Sequence, residues 1–350
     1  AQGRPWFIQL APIAPHDQQQ GKSAVPAPGH EKLYTGHNMP KSPNWNVPLP
    51  SQYDMSQDPQ TWAEANNKWL GRIRSLKAVD DMVGELINKL DALGVLDNTV
   101  VVYTSDNGFH LGHHGLRYEK FTCYEEDVRV PFFMRGPGVP AGLKSQYQAD
   151  MVDVPATLLA MAGGQLRPYM DGIPLPFAAI ASGQAGPVAR TTAVASNSTV
   201  VAGSSENKSA KKSTDSKRQA ATPTTTTDAN STAVPVRDAV VIEGWLDNRK
   251  YPYHGKSYRA VRVCSSYLAF GQPASGGAFG LNYTCYKYAV WCIPPGRLAG
   301  KTDTVIRQLF DLGQDQAELV NRYNTNSPAT AQLINRLDAL LTVMAYCRGP

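Results

Sequence analysis

The sequence is most informative first through what it lacks. No apolar run among its 350 residues approaches the ~20 that a helical membrane span requires, so no such span is expected. None of its cysteines stand in C-x-x-C spacing, which argues against a zinc knuckle. Positive charge is in small excess, a net +5, and is not gathered into one stripe, so no nucleic-acid partner is expected. There is no internal repeat. There is also no initiating Met and no charged-then-apolar leader; the strand-like run Trp6 to Leu10 reads as internal sequence. What remains is a globular chain long enough for one large domain or two moderate ones, with room for a pocket that takes an anion.

Five cysteines are present, Cys123, Cys264, Cys285, Cys292 and Cys347, and three of them cluster near the C-terminus. Four N-x-S/T sequons begin at Asn197, Asn207, Asn230 and Asn282. Together they predict a secreted or extracellular glycoprotein with at least one disulfide, or one routed to a lysosome or cell wall. The pairing of the cysteines stays open.

Composition divides the chain in three. Residues 1–181 alternate strand-like and helix-like stretches in the rhythm of an α/β domain. Residues 182–238 are rich in Ser, Thr, Ala and Lys and poor in aromatics; this insert is expected to be disordered or a glycosylated loop. Residues 239–350 return to strands, "DAVVIEGW", "SYRAVRVCSSYLAF" and "CYKYAVWC", closed by a helix over Pro328 to Tyr346. A small antiparallel sheet with one helix against it is predicted there.

In the first region, Trp69, Ile73, Leu76, Val79, Val83, Leu86, Ile87, Leu90 and Leu93 recur at three- and four-residue steps, which predicts one amphipathic helix ended by Gly94. A short turn leads into Thr99 to Thr104, too apolar for a strand with a wet face. Helix, loop and buried strand suggest one crossover of a mainly parallel sheet, whose ligands bind beyond the strand carboxyl ends. Ser105-Asp106-Asn107-Gly108 stands at that end. Turn chemistry accounts for Asp106 and Asn107 through backbone hydrogen bonds, with Gly108 free to take positive φ. A metal accounts for them too: a carboxylate beside an amide oxygen gives two hard oxygen donors, suited to Ca²⁺ or Mg²⁺. Both readings stand on spacing alone.

Lys120 lies just past this loop and before a second expected buried strand, Val128 to Met134. A lysine there can direct a point charge at a bound oxyanion, or be an ordinary solvated cation. A lone histidine after a strand is more often structural than catalytic, but flanking prolines fix the backbone of His16 and place it at a strand end, where the active site of such a sheet would lie. His110, His113 and His114 either donate to an anionic substrate near the loop or serve backbone carbonyls.

These stretches together resemble the sulfatase family of the alkaline-phosphatase superfamily, with a likeness to eukaryotic arylsulfatases and N-acetylglucosamine-6-sulfatases. The resemblance rests on "PWFIQLAPIAPH", "LKAVDDMVGELINKLDALGVLDNTVVVYTSDNGFHLGHH", "EKFTCYEEDVRVPFFMRGPGVPAG", "DMVDVPATLLAMAG" with "YMDGIPL", and the C-terminal "KYAVWC" and "QLFDLGQDQAELVN". It implies an α/β fold with a mixed, mainly parallel sheet flanked by helices, of which residues 1–181 are the second part, plus a small antiparallel C-terminal subdomain. It implies hydrolysis of sulfate esters, with Asp106 and Asn107 as Ca²⁺ ligands and Mg²⁺ as the alternative ion. Lys120 and His16 would bind the sulfate, His16 close to the nucleophile, and His110 would touch substrate. The expected substrate is a small sulfate ester or a sulfated glycan.

The departures are as specific. Family members carry an Asp-Asp pair after their first strand and a C-x-P-x-R motif whose cysteine becomes the nucleophilic formylglycine. Neither is found. Cys292-Ile293-Pro294-Pro295-Gly296-Arg297 places its arginine one position too far along. The chain is therefore expected to correspond to the C-terminal part of a sulfatase, with the N-terminal part of the same sulfatase as its partner and little activity alone. A phosphodiesterase or phosphonate hydrolase of the same superfamily, and a non-catalytic module, are the alternatives. Asn107, where those hydrolases carry histidine, favours the sulfatase.

Overall fold

The computed structural model describes residues 4–18, 22–50, 61–145, 147–182, 237–245, 257–265, 284–293 and 304–346. Residues 183–236 of the insert, all four sequon asparagines and Cys347 lie outside the described residues. No described helix is long and apolar enough to cross a membrane.

The first helix, α1 (Trp62–Ala92), opens on a reciprocal cap: the Thr61 hydroxyl accepts from the Glu64 amide while the Glu64 carboxylate accepts from the Thr61 amide. Its end follows expectation, with Gly94 at φ +67° and the Val95 amide donating back to Leu90. The face it buries does so only in part, since of the expected stripe Val79 and Leu90 are buried. Ala65, Lys68, Gly71, Ser75 and Val79 are fully covered, whereas Trp69, Ile73, Leu76, Leu86 and Ile87 are half-buried and Leu93 is exposed. The cause is a close backbone approach: a Cβ on Gly71 would lie 3.1 Å from the Ala24 carbonyl and the Ser23 side chain. The chain before α1 packs where the helix is thin, and the larger side chains flank the contact.

A 3-10 turn at Leu96–Asn98 leads into β1 (Val101–Thr104), which is half-buried throughout. The expected strand from Val128 divides. Glu125–Val128 form one helical turn, α2, and β2 starts only at Phe132 (Phe132–Arg135). Pro131 has no amide to give a ladder, so pairing begins after it. β1 and β2 pair antiparallel, Val101 opposite Arg135 and Thr104 opposite Phe132. Every ladder among the described residues is antiparallel, so the expected parallel neighbour of β1 is not among them. The expected strand Trp6 to Leu10 joins no ladder among the described residues, and Phe7 is 73% exposed. A strand's neighbour is a long-range choice that local periodicity does not encode. Short helices α3 (Asp153–Met161) and α4 (Phe177–Ala181) complete the first region.

The C-terminal subdomain matches its expectation closely. Strands β3 (Ala239–Gly244), β4 (Ser257–Ser265), β5 (Thr284–Ile293) and β6 (Thr304–Asp311) form an antiparallel sheet in sequence order, and α5 (Pro328–Tyr346) crosses it. Side chains alternate between two buried faces, as a strand period of two requires. Val261, Tyr288 and Leu309 meet Leu333, Ile334, Leu337 and Leu341 of α5. Tyr258, Ala289, Trp291 and Phe310 meet Leu116, Cys123 and Tyr124 of the first region. A disulfide joins the cross-strand pair Cys264 and Cys285; Cys123 is a buried thiol and Cys292 an exposed one. The sheet thus sits under the loops that follow β1.

Candidate active site

The loops on that sheet carry most of the residues singled out from sequence. Beyond the carboxyl end of β1, Asn107 donates its amide to Asp106 Oδ1 at 3.0 Å, and the Ser105 hydroxyl donates to the Asn107 carbonyl at 3.0 Å. Asp106 is exposed and Asn107 half-buried. Gly108 is needed for a different reason from the one its sequence suggests. It is absent from the residues with positive φ; instead, a Cβ there would fall 1.9 Å from the Glu126 carbonyl oxygen. The Gly108 and Phe109 amides donate to the carbonyls of Asp127 and Glu126, both at 2.8 Å, so the β1 loop lies directly on α2.

Lys120 donates from Nζ to Asn107 Oδ1 at 3.1 Å. The structure therefore brings Asp106, Asn107 and Lys120 to one solvent-facing point. The donor set suits a hard cation in kind, a carboxylate and an amide oxygen, but two donors are well short of the roughly six to eight that Ca²⁺ takes.

His110 lies behind this point. Its backbone exchanges hydrogen bonds with Glu119, its Nδ1 contacts both Asp127 carboxylate oxygens at 2.9 and 3.0 Å, and its buried Nε2 has no partner. Asp127 also accepts from the Thr122 amide and hydroxyl. His113 and His114 are spent on structure. His113 accepts the Leu111 amide. His114 stacks on Tyr124 with ring centroids 4.1 Å apart, and its Nε2 meets the Asn44 amide nitrogen at 3.1 Å. Burial, and secondarily the neighbouring His113 and His110, hold the His114 imidazole neutral, with its pKa lowered to about 3.

His16 is exposed, and among the described residues no hydrogen bond or ion pair joins it to Asp106, Asn107 or Lys120. Its backbone is tied to the same loops at one remove. Asp17 pairs with Lys68 at 2.7 Å, and Arg72 donates to the Pro15 carbonyl at 3.1 Å. Those two cations lie over rings of the site loops, Lys68 over Tyr118 at 3.7 Å and Arg72 over Phe109 at 4.1 Å.

A second charged cluster, not anticipated from sequence, lies between these loops and the sheet. Lys287 of β5, fully buried, donates to the Cys123 carbonyl at 2.8 Å and pairs with Glu125 at 2.7 Å and Glu318 at 2.8 Å. One ammonium serves two carboxylates, and their depths separate them. Glu125 is desolvated, but Lys287 and Arg262 outweigh this and lower it to about 2. Glu318, deeper, is raised by burial to about 7. Ligand atoms of His114, Glu126 and Glu318 lie within 4.8 Å of one another, a geometry open to a cation. Lys287 already supplies positive charge to Glu318, and the Asn44 amide serves both Glu126 and His114. A signal for Lys287 was present in the strand period: it shares the face of Cys285, Ala289 and Trp291, where a lysine is out of place. The run Glu125-Glu126-Asp127 carried no such mark and reads as solvated charge.

The fold so described is that of alkaline-phosphatase-like α/β proteins, shared with a solved structure of BT4656 in complex with its substrate D-glucosamine-2-N,6-O-disulfate. That likeness has a TM-score of 0.56 and 17% identity, and covers 93% of this chain and 63% of that one. Residues 1–164 match the sulfatase family model. Among curated relatives, the chain is similar to sulfatase ppz1 of Metarhizium majus, 36% identical over 184 residues, 50% of this chain and 43% of that protein. It is likewise 32% identical to N-acetylglucosamine-6-sulfatase of Homo sapiens over 178 residues, 49% of this chain and 31% of that protein. The chain thus spans less than half the length of these relatives.

Proposed function

We propose that the protein containing this chain is a sulfuric ester hydrolase of arylsulfatase type that acts on a sulfated glycan or a smaller sulfate ester. The observation that carries this reading is the meeting of Asp106, Asn107 and Lys120 at the end of β1, inside the segment that matches the sulfatase family. In this reading Asp106 and Asn107 supply two oxygens to a Ca²⁺ ion, which when bound withdraws charge from the sulfate oxygens. Lys120 supplies a fixed cation to the same oxygens and stabilises charge that builds in the transition state. In the same reading His16 contributes a further donor to the sulfate, and His110, aligned by Asp127, an imidazole behind the loop. The formylglycine nucleophile is assigned outside this chain, whose sequence holds no C-x-P-x-R motif.

The amino sugar disulfate held by the structural neighbour supports a sulfated glycan as substrate. The Cys264–Cys285 disulfide supports an extracellular setting, with Asn197, Asn207, Asn230 and Asn282 as glycan acceptors. The test is turnover of a chromogenic aryl sulfate and of a 6-O-sulfated glucosamine by the full-length protein. Calcium-dependent hydrolysis is expected, with Asp106→Ala lowering it about a hundred- to a thousandfold, as for loss of a principal electrostatic element. The 350-residue chain alone should be inactive. Wild-type turnover by Asp106→Ala would remove the metal assignment, and robust turnover by the isolated chain would remove the external nucleophile.

A further inference from the structure

We infer that Lys287, in the C-terminal sheet, is a positioning residue for the anion-binding point formed by Lys120 and Asn107. The inference begins with a lysine in the wrong place. By strand parity Lys287 belongs to the apolar face of Cys285, Ala289 and Trp291, and its side chain is 0% exposed. Buried ion pairs are weak contributors to net stability, and an apolar residue of similar size often serves as well. What an apolar residue cannot do is hold several chain segments in register through directed hydrogen bonds.

Lys287 ties three such points: it donates one hydrogen bond, to the Cys123 carbonyl, and forms close ion pairs with Glu125, at the start of α2, and with Glu318, beyond β6. Glu318 closes the ring by accepting the Glu125 amide at 2.7 Å. Between the two loop contacts, Tyr124 is fixed by stacking on His114 and by accepting from the Gln308 amide at 2.9 Å. Just past them, Asp127 ties down Thr122 and His110. Among the described residues the Lys120 ammonium donates to Asn107. The place of that ammonium is set by the backbone on both sides, by Glu119, which is bonded to His110, and by the stretch from Cys123, which is anchored to Lys287. The C-terminal sheet acts on the site through this cation.

The experiment compares full-length wild type, Lys287→Met and the double variant Lys287→Met/Glu318→Gln by hydrogen exchange, thermal melting and kinetics with an aryl sulfate. The kinetic arm rests on the sulfatase reading; the exchange arm does not. Lys287→Met should raise amide exchange over residues 107–110 and 119–127 at least about tenfold while leaving α1 unchanged. It should lower kcat/KM about a hundredfold, mostly in kcat, the scale of a 1 Å misplacement of a reacting group. The double variant, which no longer buries an unpaired carboxylate, should recover much of the lost Tm but neither the exchange protection nor the kcat. Unchanged exchange over 119–127 in Lys287→Met overturns the inference whatever the turnover, as does a double variant that regains kcat together with Tm. A wild type that hydrolyses no sulfate ester, while exchange still responds to Lys287→Met, overturns the sulfatase reading and supports the positioning role.

Discussion

The two faces of the C-terminal sheet are built from alternate residues of the same strands, yet they do different work. Toward α5 the contact is mainly apolar, Val261 and Leu309, with Tyr288, against Leu333, Ile334, Leu337 and Leu341, beside one hydrogen bond from the Tyr288 hydroxyl to Asp338 at 2.8 Å. Toward the site loops, apolar residues surround charged and hydrogen-bonded ones, Lys287 with Glu125 and Glu318, and Gln308 with Tyr124 and Trp291. The first face gives the subdomain its stability, since apolar burial is non-directional and tolerates small shifts. The second sets geometry, because hydrogen bonds fix distance and angle. One sheet thereby serves as a core and as a template.

The contrast is sharpest where a charge loses its partner. Glu125→Gln leaves Lys287 a single carboxylate, one already raised by burial, and should destabilise the protein by about 3 kcal/mol. Because Glu125 lies in the loop after Lys120, a weaker affinity for inorganic sulfate should accompany it. Next is Leu337→Ala on the α5 face, expected to cost about 2–4 kcal/mol in urea unfolding. Sulfate affinity of the folded fraction should not change. A Leu337→Ala protein with impaired sulfate binding would erase the distinction between the faces.

The smallest effect is one of pH. Glu318, raised to about 7 by burial, binds a proton in the folded state where the unfolded carboxyl has released it. Its contribution is fully present below the ordinary carboxylate pKa and is lost as pH rises through about 7. His114 acts in the opposite sense: lowered to about 3, it makes stability fall as pH drops below the ordinary histidine value. The two partly cancel between about pH 4.5 and 6.5. Glu318→Gln removes one of them, so its stability relative to wild type should rise steadily from pH 5 to 8. A parallel pair of curves in that range would show that Glu318 does not titrate there.

Much of this was legible from the chain itself. The helix at Pro328–Tyr346 and three strands of the C-terminal sheet stand where periodicity puts them, because each is a local pattern with one dominant period. The gathering of Asp106, Asn107 and Lys120 also follows from sequence, through an ordered series of motifs. Three things did not follow. The neighbour of β1 is a long-range choice that helix, loop and strand order leaves open. In the first half of α1 the buried face was displaced by a close backbone approach at Gly71, which a hydrophobic pattern cannot register. The partners of Lys287 lie far off in sequence in two directions, so only strand parity marked that residue as unusual.

The arrangement also bears on the order in which the molecule can be made. The loop that carries Lys120 precedes β5 and β6 in the chain, yet Tyr124 is held by Gln308 as well as by His114, and Glu125 by Lys287 and Glu318 as well as by Arg262. During synthesis the site loop emerges with its earlier partners, among them Asn44, His110 and His114, but the part of its support that comes from β5, β6 and Glu318 arrives only with the last third of the chain. Its contacts are long-range, and loop closure must precede any gain from them. A series of truncated chains probed by limited proteolysis should therefore show residues 119–127 cleavable until the chain extends past Glu318, and protected from then on. Synthesis of the site and its completion are separate events in the life of this protein.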